Sequence, residues 1–105
     1  MKPFIWICPL FKNYTYTIRR GLAKGLKKKG GLSFIPGSNI LSKEDAFLQE
    51  LDLKGKIIYD IGAFEGTFTL FFSRSTGSQG RVITFEANPL NYQIVIENVN
   101  LNRFK

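Results

Sequence analysis

Lys56-Ile57-Ile58-Tyr59-Asp60-Ile61-Gly62-Ala63-Phe64-Glu65-Gly66, answered further on by Arg81-Val82-Ile83-Thr84-Phe85-Glu86, is the stretch on which the fold turns. Ile57 to Ile61 is a short apolar run of strand type, and a glycine-bearing turn comes directly after it. Phe68, Leu70, Phe71 and Phe72 then predict a helix over roughly 65–75, closed by Gly77 and Gly80. Residues 81–86 read as a second strand. Asn88-Pro89 supplies an N-cap with proline at the first helical position. The helix it opens, roughly 89–100, places Leu90, Ile94 and either Val95 or Asn98 along one face. Strand, glycine turn, helix, strand, helix is the βαβ signature of a parallel sheet covered by helices, so the fold class is α/β of Rossmann type.

The turn reads D-x-G-x-x-x-G from Asp60 to Gly66. At the carboxyl end of a parallel strand such a turn captures ligands. Gly62 admits a ligand without a Cβ in the way, and Gly66 lets the following helix sit close to the strand. Asp60 brings a negative charge to the strand end. Glu86 closes the second strand 20 residues after Gly66, where an acid can accept hydrogen bonds from both hydroxyls of a ribose. Together these features point to a nucleoside cofactor. A dinucleotide fingerprint has glycine where Asp60 stands, and this carboxylate would repel a pyrophosphate, which argues against an NAD-type dehydrogenase. S-adenosylmethionine suits the turn better, having an ammonium, a sulfonium and a ribose but no phosphate. The plain alternative is a tight turn with two solvated acids.

Three pieces of the sequence, Asp60 to Leu70, Thr84-Phe85-Glu86-Ala87-Asn88-Pro89 and Glu97-Asn98-Val99-Asn100-Leu101-Asn102, resemble the opening of an FkbM-type S-adenosylmethionine-dependent methyltransferase domain. The resemblance covers residues 56–102, and residues 30–53 look like the lead-in of some members. It implies that Asp60, Gly62, Ala63 and Gly66 line the methionine end of the cofactor, that Glu86 holds the ribose and that Ala87 borders the adenine. It further implies methyl transfer to oxygen on a small-molecule or glycan acceptor. The family's domain continues with further strands and another acidic motif that shapes the acceptor site. On this resemblance the chain is expected to carry the first two βα units, the cofactor-binding half of the domain over 43–105, behind a basic helical segment over 1–42. The expected helix end at Leu101-Asn102-Arg103-Phe104-Lys105, with no capping glycine, reads as running on into a next element. A half-sheet leaves an edge open to self-association.

Composition bounds the remaining chemistry. The 105 residues suit one small domain, and 44% hydrophobic content excludes a disordered class. With no histidine and one cysteine, Cys8, the chain holds no His-based catalytic pair, no intramolecular disulfide and no multi-cysteine metal site. No general base can be assigned. Glu65, inside the turn, reads as a first-turn acid favoured by the helix dipole rather than as a catalyst. All eight acids fall after residue 42, and eight of the fifteen basic residues fall before it, so the net charge of +7 belongs to an N-terminal arm. The apolar run Phe4 to Phe11 is too short and too broken by Pro9 for a signal peptide or a spanning helix, which makes a cytoplasmic protein the expectation.

Residues 14–29 predict a basic amphipathic helix with Ile18, Leu22 and Leu26 at i, i+4 and i+8, weakened by Gly21 and Gly25. Ser42 with Asp45 three residues on opens a helix over 43–52 that buries Phe47 and Leu51. The basic arm supports a rival reading, a non-catalytic module docked on an anionic membrane surface. Nucleic acid ranks below the membrane because the aromatic residues cluster near the terminus instead of forming a stacking platform.

Overall fold

The computed structural model describes residues 14–29 and 42–104. The expectations for Cys8, for the apolar run around it and for the lead-in over 30–41 lie outside these residues. Strands β1 (Thr15–Thr17) and β2 (Lys27–Lys29) form an antiparallel hairpin, and helix α1 (Lys43–Glu50) follows. The βαβα unit comes next, as β3 (Ile57–Ile61), α2 (Thr67–Thr76), β4 (Arg81–Phe85) and α3 (Pro89–Leu101). Strands β3 and β4 pair in parallel, with Ile57 opposite Arg81 and Ile61 opposite Phe85. The α/β fold and both strands read from the sequence are present.

The N-terminal segment departs from expectation: residues 14–29 are a hairpin and not a helix. Tyr14 to Ile18 alternates aromatic or β-branched side chains, and Tyr16 and Ile18 turn inward while Thr15 and Thr17 face solvent. Gly21 and Gly25 take left-handed backbone at φ +84° and +89°, which a helix interior does not permit. Ile18, Leu22 and Leu26 are all buried, but through a looped hairpin closed by Ile18 N–H to Leu26 O at 2.8 Å and Gly25 N–H to Ile18 O at 2.8 Å. The helical spacing of these three residues marked core positions and misled about the period.

The hairpin is part of the main core. Tyr16, Ile18, Ala23 and Leu26 form one cluster with Leu70 of α2, and Val99 of α3 and Phe104 pack against it. The core therefore runs across the division drawn at residue 42. Arg74 of α2 donates to the carbonyls of Leu22 and Lys24, fixing the hairpin loop on the helix.

Two helix readings differ from the structure. Ser42 caps α1 as expected, accepting from Asp45 N–H at 3.0 Å, but Phe47 and Leu51 are exposed and the helix buries nothing among the described residues. Leu51 leaves the helix in extended backbone, so it never shares a face with Phe47. In α3, Asn88 caps through Leu90 N–H at 2.9 Å with Pro89 behind it, yet Leu90 is 77% exposed; Val95 and Asn98 form the buried face. The same helix ends at Leu101, where the sequence places a helix end, with Arg103 taking the left-handed position (φ +57°) usually held by glycine.

Ile57, Tyr59, Ile61 and Phe85 leave one face of the sheet exposed among the described residues, with the rings of Tyr59 and Phe85 stacked at 6.3 Å. The other face receives α2, whose Leu70 and Phe71 are buried. A groove of about 970 Å³ lies between β4, α2 and α3, lined by Val82, Thr84, Tyr92, Ile96 and Val99 among others.

Gly80 holds the return from α2 to β4. A Cβ there would lie 2.4 Å from Thr76 Cβ and 2.7 Å from the Lys56 carbonyl oxygen. Gly80→Ala is expected to lower stability by about 3 kcal/mol, the upper end for overpacking. Gly55→Ala, with open space around it but φ +73°, should lose only about 1 kcal/mol. Urea midpoints check this, and a Gly80→Ala loss no larger than that of Gly55→Ala would contradict the packing.

Candidate functional site

The turn leaving β3 folds over the end of β4. Gly62 N–H and Ala63 N–H both donate to the Phe85 carbonyl, at 2.8 and 3.2 Å. Gly66 N–H closes the turn onto the Ala63 carbonyl at 2.8 Å. Three of its five residues have left-handed backbone: Gly62 at φ +78°, Phe64 at +55° and Gly66 at +89°. Phe64 is the unusual one, since a bulky side chain rarely adopts that region.

Glu86 accounts for Phe64. Its Oε2 accepts from Phe64 N–H at 2.6 Å, and its Oε1 accepts from Asn88 N–H at 2.8 Å. One carboxylate thus ties the β3–α2 turn to the β4–α3 turn. The backbone amides of Asn88 and Phe64 hold the Glu86 carboxyl below the ordinary carboxylate range, because they stabilise its charged form. A carboxylate has about four acceptor positions, so each oxygen keeps capacity for a further donor.

Asp60 sits at the end of β3, buried, with its Oδ2 accepting from Thr69 Oγ1 at 2.5 Å. Thr84 Oγ1 lies 3.4 Å from Thr69 Oγ1 and extends this network to β4. Asp60 is therefore bound into the strand–helix contact rather than standing free in the mouth of the turn. The structure brings Asp60, Gly62, Ala63 and Glu86 together at the carboxyl ends of β3 and β4. Ala63 is buried, leaving its backbone to shape the turn, and Ala87 is exposed just beyond Glu86. Nothing lies within 4 Å of a Cβ built on Gly62, so space is open there.

A Cβ on Gly66 would meet Val95 Cγ2 at 3.3 Å, so its bareness admits α3 against the turn. Gly66 also caps α2 without any side-chain hydrogen bond. Glu65 lies outside the first turn of α2, and its Oε2 pairs with Lys28 Nζ at 2.6 Å. The helix-dipole reading of Glu65 is thereby replaced by an ion pair with the hairpin.

The sequence reading missed Lys28, which is only 3% exposed. The signal was present in the period of two: in a strand, the middle residue of Lys27-Lys28-Lys29 points opposite to its neighbours. Asn98, read only as a candidate for a helix face, and Asn102, given no role, both bind the hairpin. Asn98, fully buried, accepts from Lys29 N–H at 2.7 Å and donates to the Glu65 carbonyl at 2.8 Å. Asn102 accepts from Lys27 N–H and donates to Lys27 O, both at 2.7 Å.

The lowered Glu86 value has a pH signature. Because the folded value lies below the unfolded one, the ionised carboxylate stabilises the fold above its ordinary value near ~4.3. That contribution is lost as the pH falls through the lowered folded value. Thermal midpoints measured from about pH 6 to about pH 3 should fall more steeply for the wild type than for Glu86→Gln, whose amide does not titrate. Parallel curves would contradict the assignment.

No protein-family profile and no curated protein matches the sequence. Among solved structures, the chain is similar to a SAM-dependent methyltransferase from Aquifex aeolicus, at TM-score 0.52 and 21% identity, covering 59% of this chain. It is also similar to a "putative O-methyltransferase" from Klebsiella pneumoniae, at TM-score 0.49 and 24% identity over 65% of this chain. The chain spans about a third of the length of each, 33% and 32%. The likeness to the first shows the fold: part of the chain is a Rossmann-like α/β unit shared with that methyltransferase.

Proposed function

We propose that the chain carries the S-adenosylmethionine-binding part of a methyltransferase of the FkbM type, acting on oxygen. One observation carries the reading: the mouth of the turn is rich in acceptors and poor in donors. The amides of Gly62, Ala63, Phe64 and Gly66 are all donated inside the chain. A pyrophosphate, which needs such amides free, finds few of them here, whereas a ligand with hydroxyls and positive charge finds the Glu86 carboxylate. The remaining acceptor capacity of Glu86 suits the ribose hydroxyls. The fold shared with the Aquifex aeolicus methyltransferase supports the same reading. When bound, the cofactor would supply a methyl group on a sulfonium for attack by the acceptor. Asp60, Gly62, Ala63 and Gly66 would shape the methionine end, Glu86 the ribose and Ala87 the adenine border.

Calorimetric titration tests it. S-adenosylhomocysteine is expected to bind with a Kd on the order of micromolar and NAD to bind far more weakly. Glu86→Ala should weaken the former by at least about tenfold, since hydrogen bonds to an ionised acceptor are stronger than those between neutral groups. Asp60→Ala should weaken it as well, through the loosened β3–α2 contact. NAD binding as tight as S-adenosylhomocysteine would overturn the cofactor assignment.

A second reading, docking of the hairpin on an anionic membrane surface, is favoured by the exposed cluster of Arg19, Arg20, Lys24 and Lys27. Ile18, Leu22 and Leu26 are buried in the core, so insertion of an apolar face is not part of it. Retention on phosphatidylserine vesicles should then fall with added salt and in Arg19→Glu/Arg20→Glu. Equal retention of that variant and the wild type would remove this reading.

A further inference from the structure

The turn over 62–66 holds three left-handed residues in five, one of them Phe64. Such a conformation persists only when its surroundings determine it. Glu86 grips it at the Phe64 amide. The next residue, Glu65, is gripped by other partners: its carboxylate by Lys28 Nζ at 2.6 Å and its carbonyl by Asn98 Nδ2 at 2.8 Å. Lys28 and Asn98 are themselves 3% and 0% exposed. A buried lysine is costly unless it is paired, so its partner is strongly specified. The hairpin that carries Lys28 is fixed independently. Asn98 of α3 and Asn102 just past its end hold the backbone of Lys29 and Lys27, and Arg74 of α2 holds the carbonyls of Leu22 and Lys24. The hairpin thereby bridges α2 and α3 and reaches with one side chain into the turn between β3 and α2.

We propose that the basic hairpin braces the cofactor turn: Lys28, through its ion pair with Glu65, and Asn98, through the Glu65 carbonyl and the Lys29 amide, hold residues 62–66 in the form that receives S-adenosylmethionine. The proposal rests on the cofactor reading above and adds to it positioning residues outside the βαβα unit. Glu65 is then neither a base nor a ligand to the cofactor. It is the handle by which the hairpin sets the turn. Neutralising Glu65 with Lys28 also leaves Glu86 as the carboxylate presented at the mouth.

The test is a double-mutant cycle on the full chain with Lys28→Met, Glu65→Gln and the double variant, read in two ways. S-adenosylhomocysteine titration should show each single variant weakened about tenfold, within the usual range of coupling between sites. The double variant should be no weaker than the weaker single one. Amide hydrogen exchange without ligand should speed up at residues 62–66 while β3 and β4 keep their protection. If Lys28→Met does not fold, Glu65→Gln, which keeps a hydrogen-bonding group at the position, decides alone. Unchanged affinity in folded variants, or exchange that rises uniformly over the chain, overturns the brace. Should the wild type itself bind no S-adenosylhomocysteine, it is the cofactor reading that falls, and exchange at the turn alone decides whether the hairpin braces it.

Discussion

At the carboxyl end of the sheet, the last two residues of one strand segment do the work of holding the turn that leaves the other. The Phe85 carbonyl takes the amides of Gly62 and Ala63, and the Glu86 carboxylate takes those of Phe64 and Asn88. A backbone turn with three left-handed residues is unfavourable in isolation. Here its amides are answered by Phe85, the last residue of β4, and by Glu86 just beyond it, so the pairing of β4 with β3 places the groups that hold the turn. The chemical character of the site follows directly. Engaging the turn's donors inside the chain leaves the Glu86 carboxylate as the acceptor at the mouth, and the proposed cofactor rests on that feature.

The hairpin completes the arrangement from outside the βαβα unit. Its apolar residues share one core with Leu70, Val99 and Phe104, so it is packed as an integral layer. Its backbone is read by Asn98 of α3 and by Asn102 at the end of that helix, which substitute side-chain amides for the edge of a neighbouring strand. Lys28 crosses from this layer to Glu65. The turn is thus held at adjacent residues by β4 and by the hairpin, a rigid setting of the kind a binding site needs. Basic charge that looks like a solvated arm in the sequence divides in the fold: Lys28 is internal, while Arg19, Arg20, Lys24 and Lys27 remain outside.

Much of this was legible in the residues. Ile57–Ile61 and Arg81–Phe85 stand where short apolar runs flanked by turn signals put them, and Ser42 and Asn88 cap as their side chains dictate. These features are local, set by neighbours in sequence. The failures have two causes, local backbone geometry at the hairpin and, elsewhere, burial decided by partners distant in sequence. Ile18, Leu22 and Leu26 have helical spacing by coincidence, and the positive φ of Gly21 and Gly25 decides for a hairpin. Leu90 and Phe47 are apolar and exposed because nothing among the described residues covers them. The pairing of Lys28 with Glu65, 37 positions apart, leaves no local trace beyond the alternation of a three-residue strand.

The central claim is that the turn over 62–66 and Glu86 form one ligand site. Backbone amide NMR during addition of S-adenosylhomocysteine tests it residue by residue. The account predicts shifts concentrated at Asp60 to Thr67 and Glu86 to Asn88, with the Phe64 amide, bonded to Glu86, among the largest. Saturable binding whose shifts fall elsewhere, on the hairpin tip or in the groove beside β4, would contradict it, as would the absence of any shift at the turn.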